Sequence, residues 1–498
     1  MINFIKKWKM TELEHYFEQF RENVIGINQT FNTPFGEQII HYADWTASGR
    51  LYSEIETNLL QNFYPFVGNT HTETSVTGSG MTIAYHKAQH IIKDHVHANE
   101  DDVLISVGSG MTGAINKFQR ILGLKVHEKF KDQFSLTEND RPIVFVTHME
   151  HHSNQTSWIE TICDVEVIGA TSEGLVDLVD FKRLIKKYEN RPIKIAAVTS
   201  ASNVTGIITP YHEIAEIIHE NNGWCFVDFA CSAPYIDIDM HPANENQKLD
   251  AIFFSPHKFL GGPGTSGVVV FDKKLYTNKV PDHPGGGTVE WTNPWGGHEY
   301  VKDIEAREDG GTPGFLQTIR TALSVQLKEK MTVEKMLKRE EELLEKIFDE
   351  LLPIENIHIL ADNIQHRLGV ISFYIDDLHF NLGVKLLNDR FGIQTRGGCS
   401  CAGTYGHYLL NVTKEYSGSI TGEISKGILT HKPGWIRMSI HPTTSTKEME
   451  IILNGIIDLS KNFKEWGSDY TYNSSTNEFD YNKGEDTEIN ERVDSWFA

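Results

Sequence analysis

The chain has 498 residues, 39% of them hydrophobic and 10% aromatic, and a formal net charge of −22. That length suggests about three domain-sized units, and the acidity argues against nucleic-acid or anionic-membrane partners, which bind basic faces. No stretch approaches the roughly 18 uncharged apolar residues of a membrane span, and the lysine-bearing start lacks the apolar core of a signal peptide.

Residues 1–40 place Leu13, Tyr16, Phe17 and Phe20 at helical spacing and read as an N-terminal helical segment. Residues 41–328 read as a large domain in which short β-branched runs alternate with amphipathic stretches. The runs are DVLISV (102–107), PIVFVT (142–147), IKIAAVT (193–199), WCFVDF (224–229), AIFFS (251–255) and GVVVFD (267–272). FKRLIKKYE (181–189) and YHEIAEIIHE (211–220) are helix candidates between them. Such alternation predicts an α/β sheet, mostly parallel and flanked by helices. The last two runs are joined by a glycine loop alone, so one strand is expected to run antiparallel.

The amphipathic segment 333–352 opens a smaller α+β C-terminal domain, assigned to 329–466. It continues through HRLGVISFYI (366–375) and KLLNDRFGIQT (385–395) to KEMEIILNGIIDLSKNF (447–463). Residues 467–498 are acidic, Ser/Asn-rich and poor in aliphatics, and are expected to be a disordered tail ending in SWFA.

The informative residues lie just past the ends of these strands, where open α/β sheets bind ligands. Lys258 lies in SPHKFLGGPG (255–264), and Asp228 ends WCFVDFA (224–230). A lysine and a carboxylate so placed meet the needs of pyridoxal phosphate. The amine holds the aldehyde as a Schiff base, and the carboxylate keeps the pyridine nitrogen protonated. In GSGMTGAIN (108–116), backbone N–H groups at Gly110 and Met111 with the Ser109 and Thr112 hydroxyls could cup the phosphate. A Gly-Ser turn before a helix has no need of such a role. Ser255 and His257 flank the lysine as further phosphate donors.

HMEHHSN (148–154) offers three histidines. Metal ligation lacks companion ligands at zinc spacing, a solvated loop is the bland reading, and one imidazole stacked on a pyridine ring is the third. His151 is favoured for stacking, and no metal is expected. Asn203, in SASNVTG (200–206), could bond the cofactor phenolic oxygen, although Asn-Val-Thr-Gly is also a good turn.

With these residues the chain resembles class V aminotransferases, pyridoxal-phosphate enzymes of fold type I. Within that family it is most similar to the cysteine desulfurase and selenocysteine lyase branch, from about Tyr42 to Phe463. The resemblance rests on HMEHHSN, SNVTG, VDFA and SPHK in that order. It implies that Thr288 of GGGT (285–288) contacts the phosphate of a neighbouring subunit, and hence a homodimer with shared active sites. It aligns Cys401 of TRGGCSCAGTYG (395–406) with the catalytic cysteine and Arg396 with the arginine that leads that motif. Arg437 of GWIRMSIHP (434–442) falls on the residue that clamps the amino acid carboxylate, with Asn69 and His71 expected nearby.

The implied reaction takes L-cysteine, or L-selenocysteine, to L-alanine through a Cys401 persulfide, with a sulfur acceptor protein as a candidate partner. The alternative is a transaminase, or another α-carbon enzyme such as an epimerase or lyase, acting on a small amino acid. In that reading Cys399 and Cys401 are plain loop cysteines. Five cysteines without a disulfide framework (Cys163, Cys225, Cys231, Cys399 and Cys401) suit a reducing cytoplasm. Two features depart from the branch. Cys231 stands where glutamine is usual in D-x-A-Q, and the segment from Cys401 to Arg437 is long enough to act as a lid.

Overall fold

A computed structural model describes residues 8–70, 72, 74–133, 136–484 and 488–498. The chain divides into two compact units. The larger comprises Ala47–Ser202 and Ile207–Met336, and the smaller comprises Met1–Thr46, Asn203–Gly206 and Leu337–Ala498. The N-terminal segment therefore belongs with the C-terminal residues, and the later boundary falls at Met336.

Seven strands form the sheet of the larger unit: β1 (Asp102–Val107), β2 (Ile143–Thr147), β3 (Asp164–Ile168), β4 (Lys194–Thr199), β5 (Trp224–Asp228), β6 (Ala251–Phe254) and β7 (Gly267–Asp272). Their order is β1-β7-β6-β5-β4-β2-β3. β7 runs antiparallel to both β1 and β6, and the remaining pairs are parallel. β2, β4, β6 and β7 are buried along their whole length, as expected of apolar β-branched strands covered on both faces. The core under β1, β5 and β7 is built on Phe118, Phe226, Phe253 and Phe271.

This topology places the ends of β1, β2, β4, β5 and β6 along one edge. Gly108–Thr112, His148–His152, Asp228 and Ser255–Lys258 all emerge there.

In the smaller unit, β8 (Ile357–Ile359), β9 (Val370–Ile375), β10 (Arg396–Gly398) and β11 (Trp435–Ser439) form an antiparallel sheet in the order β8-β9-β11-β10. Its core includes Leu343, Ile347, Phe373, Ile436, Met438, Ile452 and Ile456, drawn from this sheet and the helices Val333–Leu351 and Thr446–Gly467.

Two expectations for the termini are corrected. The N-terminal segment holds a helix, Glu12–Arg21, but residues 30–39 form an antiparallel hairpin that turns at Pro34 and Phe35, with Gly36 just past the turn at φ +107°. The tail read as disordered contains a hairpin, Tyr470–Asn473 paired with Glu478–Tyr481, and a helix, Glu488–Trp496. The aliphatic-poor composition hid this because aromatics do the packing. Tyr470 is buried, and its hydroxyl donates to Asp389 Oδ2 at 2.8 Å. The long segment after Cys401 folds into two helices, Gly403–Leu409 and Lys414–Ile424.

Candidate active site

In the larger unit, Ser109 precedes the helix Gly110–Ile121, and Gly110 has φ +59°. A Cβ at Gly110 would lie 2.8 Å from His257 Cε1 and 3.0 Å from Ser255 Oγ, so only glycine fits. Met111 donates its N–H to Ser255 Oγ at 2.8 Å, which leaves that hydroxyl its own hydrogen to donate. Thr112 Oγ1 lies 2.6 Å from Ser153 Oγ and joins this helix to His152–Ile159. A helix N-terminus, Ser109, Ser255 and His257 thus surround a cradle closed to side chains. The donor set suits a phosphate dianion. Burial, then the neighbouring Lys258 charge, pushes His257 down to about 4, so it is a neutral donor at pH 7.

Lys258 ends a short 3-10 turn, Pro256–Lys258, and is half-buried. Asp228 is buried at the end of β5, where Oδ1 accepts the Ala230 N–H at 2.8 Å. Burial pushes Asp228 up to about 6, against the opposing pull of the Ala230 N–H and the Lys258 charge. A buried carboxylate with a raised pKa suits a pyridinium nitrogen, which would supply a cationic partner. The residues present therefore fit pyridoxal phosphate: a phosphate cradle, a lysine and a buried acid along one sheet edge.

The three histidines separate clearly. His148 is buried with Nε2 3.2 Å from Gly174 O, and burial lowers its pKa. His152 begins a helix on the exposed side. His151 caps that helix, its Nδ1 accepting the Ser153 N–H at 3.1 Å, which assigns the ring proton of the neutral form to Nε2.

Between them lies a residue that the sequence reading passed over. Glu150 is fully buried, and its Oε1 accepts from Thr147 N, Thr147 Oγ1 and Thr199 N. Its Oε2 accepts from Asn154 Nδ2 at 2.8 Å. It therefore ties the ends of β2 and β4 together beside His151. Burial pushes Glu150 up to about 7, partly offset by these hydrogen bonds. The available signal was an acid three positions past an apolar strand, eclipsed by its three imidazole neighbours.

Cys231 is buried, and its thiol donates to Ser202 O at 3.6 Å. Thr288 is also buried, with its hydroxyl donating to Gly285 O at 2.7 Å inside its own turn. Asn69 lies exposed ahead of the helix Val76–His95. His71 lies outside the described residues.

In the smaller unit, Arg437 is buried on β11. Its NH2 group donates to Asp44 Oδ1 at 2.7 Å, and NH1 donates to Asn203 O at 3.2 Å. Its Nε has no hydrogen-bond partner, and neither does Asn203 Oδ1. Asp44 was invisible as a partner in the sequence, since 393 positions separate it from Arg437. Arg396 sits directly opposite Arg437 in the β10–β11 register and is exposed. Two like charges opposite each other on neighbouring strands disfavour pairing, a cost that the Asp44 carboxylate on Arg437 offsets in part.

Cys401 is exposed and Cys399 partly so. Between them Ser400 is buried, its carbonyl accepting from Asn203 Nδ2 at 2.7 Å and its hydroxyl from Trp435 Nε1 at 3.2 Å.

The aminotransferase class-V profile matches residues 41–452. The chain belongs to that family. It is 28% identical over 376 residues to a probable cysteine desulfurase of Halalkalibacterium halodurans, covering 74% of this chain and 85% of the relative. It is 29% identical over 368 residues to a probable cysteine desulfurase of Staphylococcus epidermidis, covering 72% and 83%. The apo structure of a cysteine desulfurase from Thermococcus onnurineus superposes with TM-score 0.71 at 21% identity, over 92% of this chain and all of that one. The Escherichia coli cysteine desulfurase CsdA gives TM-score 0.69 at 20% identity, over 90% and 98%. These likenesses establish the fold as that of the pyridoxal-phosphate enzymes of fold type I. Among the described residues, no helix is long and apolar enough to cross a membrane.

Proposed function

We propose that this class-V enzyme binds pyridoxal phosphate and releases sulfur from L-cysteine, or selenium from L-selenocysteine, to leave L-alanine. The observation that carries the reading is an exposed, free Cys401 held on a fixed turn. Relatives named probable cysteine desulfurases support it.

Ser109, Gly110, Met111, Thr112, Ser255 and His257 would hold the phosphate, and Lys258 the aldehyde carbon. Asn203 would face the phenolic oxygen, and His151 the ring face. When bound, the cofactor supplies an electron sink for charge developing at the substrate α-carbon. Asp228 keeps the pyridine nitrogen protonated. Arg437 orients the substrate carboxylate, with Arg396 nearby in the same sheet and Asn69 and His71 as further contacts. Lys258 Nζ moves the α-proton.

Cys401 thiolate attacks the substrate sulfur. The new S–S bond forms as the Cβ–S bond breaks, and its electron pair stays on carbon, which is protonated to alanine. A homodimer, with Thr288 serving the partner's phosphate, a sulfur acceptor protein and a cytoplasmic setting complete the proposal.

The test is Cys401→Ala with L-cysteine. The variant is expected to keep cofactor absorbance and lose alanine and sulfide formation. Full alanine production without added keto acid by that variant would remove Cys401 from the chemistry, and a keto acid requirement in the parent enzyme would indicate amino transfer.

A further inference from the structure

Asn203, Ser400, Trp435 and Arg437 close a ring of contacts behind the turn that carries Cys401. β11 presents Trp435 and Arg437 on one face, since residues two apart on a strand point the same way. Trp435 Nε1 donates to the Ser400 hydroxyl at 3.2 Å, and Arg437 NH1 donates to Asn203 O at 3.2 Å. Asn203 Nδ2 completes the ring by donating to Ser400 O at 2.7 Å. All four residues are buried, whereas Cys401 is exposed.

The turn needs this outside support. Ser400 has φ +50° and Cys401 φ +57°, and the Ala402 N–H donates across them to Cys399 O at 3.0 Å. Two successive positive φ values are the pattern of a type I′ turn, which suits glycine, asparagine and aspartate. Serine and cysteine adopt it at a cost in free energy, and such a backbone persists only where its surroundings over-determine it. The Ser400 carbonyl, the Cys401 N–H and the Cys401 Cα share one rigid peptide plane. The bond from Asn203 therefore fixes the plane from which the Cys401 side chain departs, and the bond from Trp435 fixes the residue before it.

We propose that Asn203 is a positioning residue that holds the Cys401 backbone at a fixed reach from the Arg437 clamp, a role that rests on Cys401 being the nucleophile and Arg437 the carboxylate binder. The two tasks fall on different parts of one residue. The Asn203 backbone oxygen steadies Arg437, and one side-chain N–H steadies the peptide of Cys401. The second N–H of the amide remains to meet the cofactor's phenolic oxygen. Any residue at position 203 keeps the backbone oxygen, and alanine lacks the side-chain donor. Asn203→Ala should therefore disturb sulfur attack while sparing carboxylate binding.

The experiment compares the holoenzymes of the parent, Asn203→Ala and Ser400→Ala in three measurements. Alanine formation from L-cysteine reports sulfur attack. Exchange of the α-proton of L-alanine with deuterated solvent reports the chemistry at Lys258, which needs no thiol. Hydrogen exchange at the Ala402 amide, resolved by mass spectrometry with fragmentation, reports the turn itself. Asn203→Ala leaves the buried Ser400 carbonyl unpaired, so kcat for alanine formation should fall at least about tenfold and Ala402 exchange should quicken about tenfold. KM should stay within about twofold, because the clamp's own contact survives, and α-proton exchange should slow no more than about threefold. Ser400→Ala removes the Trp435 bond alone and should lower kcat about three- to tenfold, with quicker Ala402 exchange and parental α-proton exchange. Parental kcat and Ala402 exchange in both variants overturn the proposal alone. So does an equal fall of α-proton exchange and alanine formation in Asn203→Ala, which would confine Asn203 to the cofactor. Absent alanine from L-cysteine in the parent enzyme, with its α-proton exchange intact, overturns the desulfurase reading and this proposal with it.

Discussion

Met111 donates its backbone N–H to the Ser255 hydroxyl at 2.8 Å, a bond that joins positions 144 residues apart. It fastens the first turn of the helix after β1 to the strand end that carries Lys258. The proposed phosphate cradle and the lysine are therefore one assembled piece.

Ser255→Ala removes this bond and one proposed phosphate donor. A single hydrogen bond is worth about 1 kcal/mol, more when it meets a charge, so cofactor affinity should fall about five- to tenfold. Titration of apoprotein with pyridoxal phosphate, followed by its absorbance, measures the change. Gly110→Ala should do more damage, because a Cβ would collide with His257 and sit at positive φ. Equal affinities for Gly110→Ala and the parent would contradict the cradle.

Glu150 predicts a pH dependence of stability. Its carboxyl lies at about 7 in the folded chain against an ordinary value of 4.5, burial being the main cause. A raised folded value means a contribution fully present below about pH 4.5 and lost as pH rises through about 7. The loss is on the order of 3 kcal/mol at the upper end. Glu150→Gln has no such titration and should flatten the fall of Tm across that window. An unchanged Tm-against-pH slope in the variant would show that Glu150 does not titrate there.

Arg437→Lys keeps the charge but surrenders the planar fork and the Nε–H that lacks a partner in this structure. KM for L-cysteine should rise at least tenfold, with kcat changed much less, since carboxylate binding is shared by ground and transition states. A fall in kcat at constant KM would point to a different role. Asp44→Asn should raise KM less, because it only steadies the guanidinium through the 2.7 Å contact.

Tyr470→Phe tests the terminal hairpin. Its hydroxyl meets the buried Asp389 carboxylate at 2.8 Å, a bond worth about 1.5–3 kcal/mol to a charged acceptor. Thermal unfolding should show a drop of several degrees in Tm. An unaltered Tm would mean that the hairpin lies loosely on the rest of its unit.

Six of the seven strands of the larger sheet were readable because burial writes an apolar run into the chain, whereas Asp164–Ile168, half-buried along most of its length, was not. Asp228 drew notice as a charge near the end of one apolar run, and Lys258 as a charge three positions past another. The hairpin at 30–39 was not readable, since its strands hold only exposed and half-buried residues and carry no apolar run. Nor was the tail, whose few aromatics find their partners in distant residues such as Asp389. Glu150 and Asp44 share that difficulty. Each acts through contacts that local pattern does not encode, and Glu150 also sits among chemically louder histidines.

Ile393 pairs in parallel with His41, and Arg437 meets Asp44 across 393 positions of chain. During synthesis residues 41–44 must therefore wait for partners about 350–390 positions later in the chain. At translation rates of roughly 5–20 residues per second that wait is about 20–80 s. Residues 41–44 thus reach their final pairing only after the strand that carries Arg437 has been made.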